Sequence, residues 1–233
     1  MTSVESTIDI ETDINKSCSI DLLVKGDSLT IKEFLGDSKG AEILRRSRSL
    51  VSSKREINLK GCYLGSQSCV VLSECLKDQN CTIQRLGLEW NSIGSFQSTF
   101  DDLCKAIAFC RSLLVVDLRN NNISSEGGVS LAKGVSENTC QVNEIDVRFN
   151  EIGPKGGNKF LEVLVSGRTK VKKVLLEGNN IGDDIMKALK KVLACNEDMH
   201  DGEVSSEKLL SCKGTPLTTE KSNTSRIPSL MSS

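Results

Sequence analysis

Histidine, proline and aromatic residues are scarce in this chain of 233 residues, which has one histidine, three prolines, one tryptophan and one tyrosine. The single histidine, His200, lies in a polar C-terminal stretch and cannot support a nucleophile–base arrangement. Phosphate-binding glycine loops of the G-x-x-x-x-G-K-[S/T] and G-x-G-x-x-G types are missing as well. The sequence therefore predicts a protein that is not an enzyme and that uses no cofactor and no small-molecule substrate.

An excess of charge and a long apolar run are also lacking. Lysine and arginine number 30 against 31 aspartates and glutamates, a net charge of −1, so no electrostatic reason arises to expect nucleic acid or an anionic membrane as a partner. No apolar run approaches the roughly 18 residues of a membrane span. The acidic segment 1–16 lacks the apolar core of a secretory signal. These features favour a cytoplasmic protein with no membrane contact.

The ten cysteines include no Cys-x-x-Cys pair, which argues against a zinc site. Cys81, Cys110 and Cys140 recur at intervals of about 30 residues, in register with a repeat. Reduced thiols that fill small apolar positions explain them better than disulfides or metal ligands do.

What the chain does have is a repeated phrase, Leu-x-x-Asn-x-Ile and its close variants. The asparagines are spaced by 30, 29 and 29 residues (121−91, 150−121 and 179−150), and a cysteine takes the same position 29 residues earlier (91−62). Each phrase follows an apolar-x-x-apolar-x-apolar strand pattern, which is typical of leucine-rich repeats. We expect the amides to bond backbone groups that stacked turns would bury. The predicted structural turn ladder consists of Cys62, Asn91, Asn121, Asn150 and Asn179.

About a dozen residues at helical spacing follow each phrase. A repeat near 29 residues holds one strand and one full helix, which predicts an α/β, ribonuclease-inhibitor-like leucine-rich repeat solenoid (horseshoe), with parallel strands on the concave face and helices on the convex face. The predicted buried stripes are Leu64, Ser68, Leu72 and Leu76; Phe96, Phe100, Leu103 and Ile107; Ile123, Gly127, Leu131 and Val135; and Ile181, Ile185 and Leu189.

Composition divides the chain into a disordered N-terminus (1–17), a leucine-rich repeat domain (18–197) made of an N-terminal cap (18–53) and about five repeats (54–197), and a disordered Ser/Thr-rich tail (198–233). In the cap, Asp27 is expected at the turn position. The last helix is expected from Asp183 to Cys195.

The outward strand positions and the residues that follow them are the candidate binding site. Arg119 and Arg148 occupy equivalent positions in adjacent repeats, about 5 Å apart, and Asp117 and Asp146 do likewise. Such rows can pair internally or can receive the acidic and apolar groups of a partner, and both interpretations stay open at this point. The predicted partner-binding residues on the concave face are Glu89, Trp90, Asp117, Arg119, Asp146, Arg148 and Phe149.

Several words of the sequence resemble the leucine-rich repeat-containing protein 45 family over residues 20–197. They include Leu88-Glu-Trp-Asn-Ser-Ile-Gly94, Val116-Asp-Leu-Arg-Asn-Asn-Asn-Ile123 and Asp146-Val-Arg-Phe-Asn150, with Phe149 where that family is expected to have tryptophan. The resemblance implies a scaffold at the centrosome linker or the ciliary basal body, with centrosomal linker proteins as partners. The family's coiled coil has no counterpart in 198–233, which shows no sustained heptads. The alternative is a regulatory protein, either an enzyme inhibitor or a small-GTPase activator; an activator needs an exposed loop residue that completes its partner's active site, and no loop here is obviously expanded to present one.

Overall fold

The computed structural model describes residues 6–9 and 21–198. Its strands are β1 Ser6–Asp9, β2 Asp21–Lys25, β3 Ser28–Ile31, β4 Glu56–Asn58, β5 Arg85–Gly87, β6 Val115–Asp117, β7 Glu144–Asp146 and β8 Lys173–Leu175. Its α-helices are α1 Asp37–Arg46, α2 Arg48–Ser53, α3 Ser66–Leu76, α4 Gln97–Phe109, α5 Ser125–Val135, α6 Gly153–Ser166 and α7 Asp183–Asp198, and a 3-10 turn covers Ile93–Ser95.

The strands form one sheet in sequence order, and every pairing from β3 to β8 is parallel. The central residue of each strand stands beside the central residue of the next, so that Ile57, Leu86, Val116, Ile145 and Val174 form one buried row. Helices α3 to α7 pack in the same order on that side of the sheet. The predicted α/β leucine-rich repeat solenoid is confirmed. We call the opposite, solvent-facing side of the sheet the concave face, because wide helices stacked outside narrow strands force the sheet to curve inward.

The apolar stripes fill the space between sheet and helices, except that Phe96 is exposed and that Ile181 and Ile185, predicted to be buried, are half-buried against the core. Phe100 and Phe160 are fully buried, whereas Phe96 is exposed. The 3-10 turn Ile93–Ser95 delays the start of α4 to Gln97, which leaves Phe96 ahead of the helix and pointing to solvent. Its predicted place in the buried stripe is therefore wrong.

Glycine lets α5 and α6 approach each other closely. A Cβ placed on Gly128 would lie 2.6 Å from Ile152 Cγ2, and one on Gly156 would lie 2.4 Å from the same atom. Both distances are shorter than any stable carbon–carbon contact. The side chain of Ile152, the residue before α6, therefore fills the space that a side chain at either glycine would need.

The N-terminal cap differs from the prediction. Asp27 does not occupy a repeat turn. It lies with Gly26 in the two-residue turn of an antiparallel hairpin, in which Lys25 pairs with Ser28. Gly26 has a φ of 55°, and glycine is the residue that such tight hairpin turns favour. Strand β3 continues the parallel array, with Leu29 beside Ile57.

The ends of the domain differ as well. Residues 6–9, which were predicted to be disordered, form β1 and pair antiparallel with β2. This pairing covers the otherwise open hydrogen-bonding edge of the hairpin. Helix α7 runs to Asp198, three residues beyond its predicted end. The other residues of 1–17, and the tail from 199 onward, lie outside the described residues. Within the described ranges, no helix has the length and hydropathy needed to cross a bilayer.

Candidate functional site

The turns after β5, β6, β7 and β8 are each held by a buried asparagine amide. Asn121 Nδ2 donates to the carbonyl oxygens of Leu88 (2.8 Å) and Arg119 (3.0 Å), and Asn121 Oδ1 accepts from the backbone N–H of Ile93 (3.2 Å). Each amide thus joins its own turn to the preceding repeat. The same pattern recurs at Asn91, Asn150 and Asn179. All four side chains are buried, so a partner would not contact them.

Cys62 takes the same position in the first full repeat. Its Sγ lies 3.5 Å from the carbonyl oxygen of Ile31, a contact consistent with a weak S–H donor. Burial raises the pKa of the Cys62 thiol to about 11. The group therefore stays protonated at neutral pH.

The residue immediately before each of these five positions has a left-handed backbone. The φ values are 67° at Gly61, 58° at Trp90, 53° at Asn120, 58° at Phe149 and 75° at Gly178. Glycine and asparagine adopt this conformation readily, while for bulky side chains it costs about 1–2 kcal/mol. The turn geometry therefore disfavours the two aromatic residues that occupy it.

Burial does not offset that cost. Trp90 is 58% exposed and Phe149 is 57% exposed. The Phe149 ring lies over the next turn, next to Gly178. A Cβ placed on Gly178 would fall 2.6 Å from Phe149 Cδ1. Both rings are displayed to solvent at the end of a strand.

Beside the two rings runs a row of paired charges, the charge ladder, which consists of Lys60, Glu89, Asp117, Arg119, Asp146 and Arg148. Arg119 is its centre: its guanidinium contacts Glu89, lies 2.6 Å from Asp117 Oδ2 and 3.4 Å from Asp146 Oδ2. Hydrogen bonds from Arg119 to Asp117 hold the pKa of the guanidinium above its usual range. The outer members are Lys60, 2.8 Å from Glu89, and Arg148, 2.7 Å from Asp146. Of the two interpretations left open by the sequence, internal pairing is observed.

The cations of the charge ladder lie outermost. The side chains of Lys60, Arg119 and Arg148 are 54%, 31% and 33% exposed, while those of Glu89, Asp117 and Asp146 are 13%, 23% and 11% exposed. A partner that approaches this face would therefore meet ammonium and guanidinium groups above largely covered carboxylates. An open groove of about 340 Å³ runs across the ladder and the neighbouring strands.

Three further exposed aromatic residues lie in the strand-to-helix connections, and the sequence reasoning did not select any of them for the site. Phe34 and Tyr63 are paired, with ring centroids 4.2 Å apart, and Phe96 is the third. We define the aromatic rim as Phe34, Tyr63, Trp90, Phe96 and Phe149, all of them exposed. The chain has eight aromatic residues in total, so most of them lie on this one edge. The concentration of the few aromatic residues in the strand-to-helix connections is the sequence signal that could have identified the aromatic rim.

Comparison with known proteins gives one family match. A model described as "Leucine Rich repeat" matches residues 109–132, 141–161 and 169–190, which fall on three successive repeats.

Three curated relatives represent the similar sequences. The chain is 33% identical over 93 residues to "Leucine-rich repeat-containing protein 45" of Gallus gallus, covering 40% of this chain and 14% of that protein. It is 27% identical over 144 residues to "Ribonuclease inhibitor" of Sus scrofa, covering 62% of this chain and 30% of that protein. It is 26% identical over 190 residues to "NACHT, LRR and PYD domains-containing protein 12" of Mus musculus, covering 80% of this chain and 17% of that protein. The chain thus spans less than a third of the length of each of these relatives.

Among solved structures, the chain resembles "Leiomodin-1 Actin-Binding Site 2 (ABS2)". The TM-score is 0.56 at 14% identity, and the match covers 74% of this chain and 95% of that one. At this identity the similarity concerns the fold alone.

Proposed function

We propose that this chain, which is a leucine-rich repeat protein, is a non-catalytic scaffold that docks a protein partner on its concave face and aromatic rim. One observation carries the proposal: Trp90 and Phe149 combine an unfavourable left-handed backbone with exposed rings. Residues kept in sparsely populated conformations cluster at functional sites. Exposed tryptophan beside arginine is also the composition that dominates the energetics of protein interfaces.

The partner fits best as a segment that carries acidic and apolar side chains. The apolar groups would pack on the rings of Trp90 and Phe149, and the carboxylates would pair with Lys60, Arg119 and Arg148, the exposed ends of the charge ladder. Arginine accepts carboxylates in bidentate geometry. Because the ladder is already paired internally, it would arrive preorganised and lose little side-chain entropy on binding.

The cellular role we propose is at the centrosome linker or the ciliary basal body, in centrosome cohesion and cilium assembly, with centrosomal linker proteins as partners. Support comes from the similarity to leucine-rich repeat-containing protein 45, which covers 40% of this chain. The similar region contains repeats, so the shared property would be docking rather than fibre formation.

The double variant Trp90→Ala/Arg148→Glu tests the site. We expect the tagged variant to lose centriolar staining while its circular dichroism spectrum stays unchanged, because both side chains lie outside the core. The matched control, Phe109→Ala/Arg168→Glu, also removes an exposed phenylalanine and reverses an exposed arginine, but away from the rim, and it should localise as the wild type does. Normal localisation of the rim variant would refute the proposed binding site. Uniform cytosolic staining of the wild-type protein would refute the proposed centrosomal localisation.

A second candidate is a regulatory role, as an enzyme inhibitor or a small-GTPase activator. The similarity to ribonuclease inhibitor over 62% of this chain favours the first of these. Ribonuclease and GTP-hydrolysis assays over panels of enzymes separate it from the scaffold. Stoichiometric inhibition of a ribonuclease, or faster GTP hydrolysis, would replace the scaffold proposal.

A further inference from the structure

Two thiols from neighbouring repeats face each other on the edge of the solenoid that carries the helix-to-strand loops. Cys81 Sγ and Cys110 Sγ are 3.7 Å apart, although the residues are 29 positions apart in the chain. Cys81 lies in the loop that leads into β5, and Cys110 follows the end of α4. Cys110 is buried and Cys81 is partly exposed, so solvent reaches the pair from the side of Cys81.

The surroundings of the pair are polar. Ser112 Oγ lies 3.4 Å from Cys110 Sγ and donates to the carbonyl oxygen of Cys81 at 3.1 Å. Either sulfur can donate in this contact; with Cys81 as the donor, the contact lowers the pKa of Cys110 and raises that of Cys81. Backbone N–H groups of Ser112 and Leu113 also favour the thiolate of Cys110. In that arrangement Cys110 is the sulfur with thiolate character and Cys81 is the one that keeps the shared proton.

Cys140 provides an internal comparison. It occupies the equivalent position in the next repeat and is buried like Cys110. Burial raises the pKa of the Cys140 thiol, so it remains protonated. Thiolates react with peroxides and thiols do so poorly, which separates Cys110 from Cys140 chemically despite their equivalent positions.

We propose that Cys81 and Cys110 form a reversible oxidation site that takes a small hydroperoxide, such as hydrogen peroxide, and closes to a disulfide between two repeats. The Cys110 thiolate attacks one peroxide oxygen, the O–O bond breaks, and hydroxide leaves with its electron pair and takes up the proton that Cys110 had released to solvent, giving a sulfenic acid and the first water. The Cys81 sulfur then attacks the Cys110 sulfur. Its proton combines with the departing hydroxyl group to form water, and the S–S bond forms. In all, two thiols are oxidised and one hydrogen peroxide is reduced to two waters.

The geometry requires only a small movement for this step. A disulfide has an S–S length of about 2.05 Å, so the two sulfur atoms, now 3.7 Å apart, must approach by roughly 1.7 Å in total. The disulfide would covalently link the loops before β5 and β6, on the edge of the solenoid opposite the aromatic rim. It would therefore resist local opening of these two repeats without touching the proposed docking residues.

The test is a peptide map of the full chain after brief treatment with hydrogen peroxide, removal of peroxide by catalase and alkylation with N-ethylmaleimide. We expect a peptide pair joined by Cys81 and Cys110 that dithiothreitol separates. Loss of alkylation at Cys110 should be at least ~10-fold faster than at Cys140, because only the former has thiolate character.

Two variants sharpen the test. Cys81→Ser should give no cross-linked pair and should leave a sulfenic acid at Cys110 that dimedone traps, whereas Cys140→Ser should form the pair at the wild-type rate. The peptide map of the wild-type protein tests the proposed disulfide even if a variant folds poorly. Full alkylation of Cys81 and Cys110 after treatment, or a disulfide that joins other cysteines in their place, would overturn the proposal.

Discussion

Neighbouring residues in the same turns have opposite environments. Asn150 is buried and its amide bonds four backbone groups of two repeats at 2.9–3.0 Å, whereas Phe149, directly before it, is 57% exposed on a left-handed backbone. Asn91 and Trp90 repeat the contrast. We call the buried asparagine of each pair the inner residue and the exposed residue directly before it the outer residue. The solenoid requires the inner asparagine and disfavours a bulky side chain at the outer position. The fold therefore does not account for an aromatic residue at the outer position, which is why we propose Trp90 and Phe149, and not the asparagines beside them, as docking residues.

The largest expected effect concerns the inner residue. Asn121→Ala leaves Ile93 N without a partner and removes one of the two amide donors to Leu88 O, which Asn91 Nδ2 continues to bond. An unsatisfied buried backbone group costs about 1–3 kcal/mol, so we expect the free energy of unfolding in urea to fall by about 2–3 kcal/mol. The control is Asn122→Ala, in the same turn but exposed, for which we expect a loss of about 1 kcal/mol, the cost of alanine at the left-handed φ of 55°. Equal losses in the two variants would contradict the assigned role of the inner amides.

A smaller effect is expected in the charge ladder. Arg119→Met leaves Glu89, Asp117 and Asp146 close together without their shared cation. Removing one partner from a partly exposed ion-pair network should cost about 1–2 kcal/mol, measured by urea denaturation. Lys105→Met breaks an exposed pair with Asp102 on α4 and should leave the urea midpoint close to that of the wild type, because exposed pairs contribute little. If Arg119→Met did not change the free energy of unfolding, the internal ion pairs would not preorganise the charge ladder.

The smallest effect, with the opposite sign, is expected at the outer residue. Trp90→Gly relieves the left-handed strain, whereas Trp90→Ala removes the ring but retains a Cβ at a φ of 58°. The glycine variant should therefore be about 1 kcal/mol more stable than the alanine variant and no less stable than the wild type. If Trp90→Gly lost more than about 2 kcal/mol, a structural role of the ring would follow.

The spacing of the asparagines and of the apolar residues was enough to predict the strands, the helices and their order, because burial repeats with the same period as the chain. The hairpin around Asp27 and the pairing of β1 were missed because they depend on antiparallel contacts outside the repeat. Phe96 was misplaced because the spacing does not reveal the 3-10 turn before α4.

The candidate site was predictable only in part. Trp90 and Phe149 stand out by type and position, but their left-handed backbone is a property of the folded turn. The sequence also left the pairing of the charge ladder open, since the equivalent spacing of Arg119 and Arg148 is compatible with both interpretations. That the cations cover the carboxylates emerges only from side-chain positions.

The most direct measurement is photo-cross-linking in cells with benzoylphenylalanine placed at Phe149 or at Phe109. Phe109, at the end of α4, is 68% exposed and so even more accessible than Phe149, but it lies in the helical layer. If the rim docks a protein, irradiation should give a discrete higher-mass adduct from position 149 and little from position 109. Equal adducts from both positions, or an adduct from position 109 alone, would contradict the claim that the rim is the binding site.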